Sequence, residues 1–208
     1  MRNNFKTNIM VTAIDKSTAL VVIDLEDGIV KMNLIRPGME IVRQSAKLVE
    51  AFHKAGLPVV IVKVKPFGAP SGKVRTQAPG LPKDEAGQKQ MMAAWDAAGF
   101  FTIVPELGAK AEDIQITKKT WNAFYDTPLE EELKRAGVTG IVFCGIATSI
   151  GVEGTARAAY ERGYNLAFAE DAMTDMLESA HGNSINVIFP RIGEVDTTDA
   201  IIDQLLKR

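Results

Sequence analysis

Gly140-Ile-Val-Phe-Cys144-Gly-Ile-Ala-Thr-Ser-Ile-Gly151-Val-Glu-Gly-Thr-Ala-Arg-Ala-Ala-Tyr160-Glu-Arg-Gly163-Tyr-Asn165-Leu-Ala-Phe-Ala169 reads as strand, helix, strand. Gly140 to Cys144 is a short apolar run of the kind that sits in a sheet covered on both faces. Val152, Thr155, Ala156, Ala159 and Tyr160 then recur at helical spacing, and Gly163 stops the pattern. Asn165 to Ala169 is the next strand. A strand, a crossover helix and a second strand make a parallel pair. The same alternation extends outward in both directions. Upstream, Ala19-Leu-Val-Val-Ile-Asp24 and Pro58-Val-Val-Ile-Val-Lys-Val64 read as strands. Between them Ile41, Val42, Leu48, Val49 and Phe52 mark a helix that follows Pro37 and closes at Gly56. Ile114-Gln-Ile-Thr-Lys118 is a further strand. Thr127-Pro-Leu-Glu130 has the spacing of a capping box, with a helix expected to about Ala136. Downstream come a weaker helical stretch from about Asp175 to Val187, a short strand Gly193-Glu-Val-Asp196 and a helix from Thr198 to Leu206. Strands alternating with helices predict an α/β protein, its sheet parallel and covered by helices on both faces.

The chain has 208 residues, 24 Lys+Arg, 26 Asp+Glu, two His and one Cys. That length suits one domain, and neither an internal repeat nor a second domain is apparent, so residues 1–208 are read as one unit with 1–15 as an N-terminal extension. A lone cysteine cannot build a disulfide framework and fits a reducing cytoplasmic compartment. A net charge of −2 without single-sign blocks argues against a nucleic-acid partner. Apolar runs fall short of a membrane span, and Met1 to Asp15 lacks the apolar segment of a signal peptide. The expectation is a cytoplasmic protein that handles a small-molecule substrate. Residues 66–90 hold four prolines and four glycines. A loop of that length is usually an active-site lid or an oligomer contact, the alternative being a disordered insertion. Because something must order it, a homodimer or higher homo-oligomer is expected, with a neighbouring subunit burying Val74, Leu81 or Met91.

In open α/β sheets ligands bind beyond the carboxyl ends of the strands, which singles out Asp24, Lys118 and the 145–151 turn. Asp24 follows five apolar residues, and a buried carboxylate needs a partner. Taken alone, it is as readily a capping residue. Lys118 is in phase with Ile114 and Ile116, yet could equally be a surface lysine at a strand terminus. Together they suggest a buried Asp–Lys pair within hydrogen-bond reach that tunes both groups.

Three segments carry a resemblance: Ala19-Leu-Val-Val-Ile-Asp24-Leu, Lys118-Lys-Thr-Trp-Asn-Ala-Phe124 and Gly145-Ile-Ala-Thr-Ser-Ile-Gly151-Val-Glu-Gly-Thr-Ala-Arg157. With Gly163 to Ala172 they resemble the isochorismatase-like hydrolases of the cysteine hydrolase superfamily, in the family's order from Ala19 to Asp196. The resemblance implies a three-layer, Rossmann-like sandwich with a mainly parallel six-stranded sheet and no cofactor. It implies a catalytic set of an Asp after the first strand, a Lys after the third and a Cys opening a helix. Asp24 and Lys118 occupy the first two places; Gly151 occupies the third. Cys144, seven residues upstream in a strand, reads as a buried structural thiol and no substitute. The resemblance is closer to the YecD-like branch, which shares the Ile-Gly-Val-Glu run and Asn183-Ser-Ile-Asn186. Isochorismatase proper, which also lacks the cysteine, carries a His where this chain has Ser149.

The expected activity is therefore cofactor-independent hydrolysis of a small, carboxylate-bearing metabolite, by vinyl ether C–O cleavage without a covalent thioester. Water-mediated C–N hydrolysis and a non-catalytic ligand-binding relic are the alternatives. Asp24 would be the acid/base and Lys118 its partner. Gly151, lacking a Cβ, would leave room for water or an oxyanion beside backbone N–H groups, unless it is only a packing glycine. Ala147, Thr148, Ile150 and Trp121 are the candidate substrate-binding residues, although Trp121, like Phe124, Trp95, Phe100 and Phe101, could merely pack. The resemblance also implies a cis Ile146–Ala147 peptide. No metal site is expected: His53 reads as a helix-surface or C-terminal residue and His181 as a loop residue, neither with partners at ligand spacing.

Overall fold

The computed structural model describes residues 10–76 and 80–208. The first nine residues of the expected N-terminal extension, and 77–79 of the 66–90 segment, lie outside the described residues. The apolar runs become strands β1 (Thr18–Ile23), β2 (Val59–Val64), β3 (Ile114–Lys118), β4 (Gly140–Ile146), β5 (Asn165–Thr174) and β6 (Glu194–Asp196). Every pairing is parallel, in the order β3-β2-β1-β4-β5-β6. The α-helices are α1 (Asp27–Val30), α2 (Gly38–Lys54), α3 (Glu85–Ala97), α4 (Leu129–Arg135), α5 (Glu153–Glu161), α6 (Glu178–Asn183), α7 (Phe189–Ile192) and α8 (Thr198–Lys207).

Strand β1 shows why the layers form. All six of its residues are buried, and because strand side chains alternate, they serve two cores. Leu20 and Val22 join Ile41, Leu48, Val49 and Phe52 of α2 and Ile201 and Leu205 of α8. Ala19, Val21 and Ile23 join Leu129 and Leu133 of α4, Ala156 and Ala159 of α5, and Phe189 of α7. At roughly 1.5–3 kcal/mol per fully buried large aliphatic chain, this double burial fixes the register of the central strand. The chain winds outward from β1 to β2 and β3, then returns to start β4 on the other side of β1. The crevice beyond the ends of β1 and β4 is the point where such sheets bind ligands. Gly145 lets the two strands approach there: its φ is +121°, and a Cβ would lie 2.1 Å from the Ile23 carbonyl oxygen.

Several local expectations are corrected. Strand β5 runs five residues beyond Ala169, and its pairing with β4 shifts register between Phe143 and Gly145. The capping box does not close. Pro128 precedes the first turn of α4 and Thr127 Oγ1 accepts from Leu129 N at 3.3 Å, while Glu130 pairs with Lys134 and Arg162. The stretch 175–187 is α6 followed by a π-helical turn Ser184–Ile188. The 66–90 segment is not irregular throughout. It holds a 3-10 turn Pro70–Lys73 and the start of α3, capped by Asp84, whose side chain accepts from Gly87 N. No residue of α3 is fully buried; half-buried Met91 and Trp95 face inward, Trp95 stacking on Phe100 at 4.4 Å and meeting Phe67 edge-on. Residues 10–15 are held at the sheet edge, Val11 N donating to Asp196 Oδ2 and Thr12 to Glu194.

Candidate active site

Asp24 is the residue after β1, and its backbone turns sharply, with φ at +52°. Asp is among the few non-glycine residues that tolerate this left-handed conformation. Its amide N–H still donates to Val62 O, so the side chain leaves the sheet while the backbone stays tied to β2. Lys118 ends β3, two strands away or roughly 10 Å at ordinary strand spacing. A long lysine stem crosses that gap past the end of β2, and Lys118 Nζ donates to Asp24 Oδ2 at 2.6 Å. The pair is buried, with side-chain exposures of 2% for Lys118 and 7% for Asp24. The other oxygen, Asp24 Oδ1, is buried without a hydrogen-bond partner. Burial pushes the Asp24 carboxyl up to about 6, and the Lys118 ammonium offsets part of that rise.

Beyond β4 the Ile146–Ala147 peptide is cis, and Thr148–Val152 forms a π-helical turn leading into α5. Gly151 lies within this turn rather than at its first residue. A Cβ there would be 3.0 Å from Asp24 Oδ2, 3.5 Å from Lys118 Nζ and 2.8 Å from Ile23 Cγ2. The structure thus brings Asp24, Lys118 and Gly151 together. The helix start is less open than the sequence suggests: Ser149 N donates to Asp175 Oδ2 at 2.7 Å, and Ile150 N and Val152 N both donate to Ala147 O.

A cavity of about 480 Å³ opens over the pair. Its walls include Ala147, Ile150 and Trp121, together with Ile29, Val64 and Met176, and its cationic groups are Lys118, Lys119 and Lys83. Lys83 Nζ donates to the Gly72 and Val74 carbonyls. The expected contact residue Thr148 is not in this wall. It is fully buried, its hydroxyl donating to Thr174 O at 3.0 Å and lying 2.9 Å from His181 Nδ1. Because a hydroxyl has one proton, His181 is the donor to Thr148, which leaves Nε2 as an acceptor 3.5 Å from Arg36 Nη2. His181 is therefore a buried helical residue of α6 rather than a loop residue; burial and Arg36 lower its pKa. Thr148 and His181 fasten the turn that carries Gly151. Trp121 lines the mouth and is 63% exposed, so it is not core, whereas Phe124 is buried.

Glu26 escaped the sequence reading. It is fully buried two residues after Asp24, Oε2 accepting from Val64 N at 3.0 Å and Oε1 without a partner. Its signal was the alternation Asp24, Glu26 at the end of an apolar strand, the same signal that identified Asp24. Cys144 is buried as expected, and burial pushes its thiol up to about 12. Among the described residues, no group of three His, Cys, Asp or Glu side chains could hold a metal ion, and no helix is long and apolar enough to cross a membrane.

Residues 18–200 match the Isochorismatase domain model, and the chain belongs to this family, which has hydrolases among its members. It is 40% identical to the isochorismatase family protein YecD of Escherichia coli O157:H7, over 91% of this chain and 97% of that protein. It is 30% identical to the ureidoacrylate amidohydrolase RutB of Methylobacterium radiotolerans, over 73% of this chain and 65% of that protein. The solved structure of an isochorismatase family protein from Burkholderia thailandensis superposes with a TM-score of 0.81 at 34% identity, covering 93% of this chain and 98% of that one.

Proposed function

We propose that the chain is a cofactor-independent hydrolase of a small carboxylate-bearing metabolite, cleaving a vinyl ether C–O bond with Asp24 as the proton donor. One observation carries this reading. Asp24 has one oxygen on Lys118 and one buried oxygen with no partner, on the wall of an apolar cavity. A carboxyl with pKa about 6 is suited to exchanging protons near neutrality. In the proposed reaction Asp24 protonates the terminal carbon of the enol ether. Its carboxylate then faces the oxocarbenium ion, which takes up water; that water returns a proton to Asp24. The resulting hemiketal collapses to a ketone and an alcohol. No thiol is required, and Gly151, lacking a side chain, lets the turn pack directly against the Asp24–Lys118 pair. Lys119, exposed in the cavity wall, supplies a cation for a substrate carboxylate. The contact between Asp24 and Lys118 beside an open cavity argues against a relic that only packs.

A second reading, hydrolysis of a C–N bond with Asp24 as base, is favoured by the similarity to RutB. The sign of the pH dependence separates the two. An acid is lost as pH rises through about 6, so C–O turnover falls there, whereas a base is gained and C–N turnover rises. A panel of vinyl ethers and small amides, assayed with the wild type and Asp24→Asn, tests the proposal. Ketone release from at least one vinyl ether, falling through that pH and lost in Asp24→Asn, is expected. Turnover of amides alone would establish the second reading, and ligand binding without turnover would overturn both.

We also propose that the protein acts in the cytoplasm as a homodimer or higher homo-oligomer. Met32, Val74, Trp121 and Met176 all line the cavity, yet each is more than 40% exposed. A neighbouring subunit over this rim would bury them and keep water out. Sedimentation of a 22.6 kDa monomer at micromolar concentration would overturn this part.

A further inference from the structure

Two carboxyl groups are buried at the end of β1, and the ammonium in contact there belongs to one of them. Lys118 donates to Asp24 Oδ2, while the hydrogen bond to the Glu26 carboxyl comes from the neutral Val64 amide. Glu26 Oε1 is buried with no donor at all. An ionised carboxylate held this way lacks the pairing that buried charge requires. A neutral carboxylic acid suits it better: Oε2 accepts from Val64, and burying an uncharged O–H at Oε1 without an acceptor costs less than burying an unpaired carboxylate.

We propose that Glu26 is kept as a neutral acid beside the ionised Asp24, and that its deprotonation in alkaline solution weakens the binding of an anionic substrate to the cavity. The charged groups that act on Glu26 are Asp24, Lys118 and Lys63. Burial is the main cause that pushes Glu26 up to about 8; Asp24 adds to the rise, while the Val64 bond, Lys118 and Lys63 oppose it. The two groups therefore titrate in sequence, Asp24 near 6 and Glu26 near 8. Between those values Asp24 alone is ionised and has sole claim on Lys118. Above the second, an added anion lies beside Asp24 and repels a carboxylate ligand. Glu26 is in this account a charge-setting residue rather than a catalytic one. The consequence for binding rests on the site proposed above; the protonation state does not.

Carboxyl-13C labelling of glutamate in the wild-type protein reads that state without any substrate. One glutamate resonance is expected to titrate with a midpoint near 8 and to be missing from Glu26→Gln, an isostere that keeps an acceptor for Val64. With aspartate labelled instead, Glu26→Gln is expected to leave the Asp24 midpoint where it was, because the residue it replaces was already neutral there. The KM for an anionic substrate is expected to rise above pH 8 in the wild type and to stay flat in Glu26→Gln. Titration of every glutamate below pH 6 would overturn the proposal, and this needs no variant to fold. So would a fall of a unit or more in the Asp24 midpoint in Glu26→Gln, which is the signature of an anion removed. A flat wild-type KM would overturn the binding consequence alone, and an absence of turnover would count against the hydrolase reading, with the glutamate titration still decisive for Glu26.

Discussion

At the start of β3, Asp113 lies 2.7 Å from His53 Nε2 through Oδ1, and its Oδ2 accepts from Lys110 N at 2.7 Å. At the other end of the same strand, Lys118 donates to Asp24 Oδ2, and Asp24 Oδ1 has no partner. Both carboxyls are nearly out of solvent, with side-chain exposures of 3% and 7%. The difference is completeness. Asp113 has a partner on each oxygen and fastens the C-terminal turn of α2 to the start of β3, where the chain enters the sheet. Asp24 is left half satisfied, on a cavity wall at the end where such sheets bind ligands. A carboxyl with a partner on each oxygen stabilises a fold, whereas a cavity-lining carboxyl with one oxygen unpartnered marks a candidate functional group.

Substitution at the two ends of β3 should separate these roles. Asp24→Asn removes the proton donor and is expected to lower turnover about 10³-fold, within the usual range for losing a positioned acid or base. It also leaves the Lys118 ammonium without its counter-charge, so activity must be read at a temperature where circular dichroism shows the variant folded. Turnover within tenfold of wild type would break the contrast. Asp113→Ala should do the reverse. It strips His53 and the Lys110 amide of their acceptor and is expected to cost about 2–3 kcal/mol in denaturant unfolding. Per folded molecule, its turnover should match wild type.

The contrast also marks what was legible in the sequence. Strands and the central helices were readable because their apolar residues recur at one period over several turns, as in β1, α2 and α5. Asp24 and Lys118 were readable because each breaks an apolar pattern at a strand end. Helix α3 was not, because it buries nothing completely and so carries little apolar stripe. His181 and Asp175 were missed for another reason. Their partners, Thr148 and Ser149, are 33 and 26 residues away, and such contacts exist only once β4 and β5 lie side by side. The capping box failed because Glu130 found stronger partners in Lys134 and Arg162 than the backbone N–H it was spaced to reach.

Gly151 offers a smaller and sharper test of the open end. In Gly151→Ala the new methyl meets Ile23 Cγ2 at 2.8 Å and Asp24 Oδ2 at 3.0 Å. Overpacking of this kind costs roughly 1–3 kcal/mol, whereas alanine regains about 1 kcal/mol over glycine within a helical turn. The net loss of stability should therefore be about 0–2 kcal/mol. Turnover should nevertheless fall by about tenfold, since the group displaced is the carboxyl itself and positioning errors are costly at a reacting centre. An alanine variant as active as wild type would mean that the close packing of Gly151 against the carboxyl does not set its position for turnover.

The smallest effect is expected at Cys144, and its absence is informative. The thiol sits in the middle of β4, fully buried on the α2 side of the sheet, with its pKa pushed up to about 12 by that burial. Only a thiolate reacts with alkylating agents at useful rates, and at neutral pH almost none is present. A disulfide reagent should thus titrate no thiol in the native protein and one after denaturation, since the sequence holds a single cysteine. Turnover should be unchanged after exposure to iodoacetamide. Were a small alkylating agent to abolish activity in the wild type but not in Cys144→Ser, the sulfur would have to reach the cavity from within the sheet. The bare oxygen of Asp24 would then no longer be what distinguishes the two ends of β3.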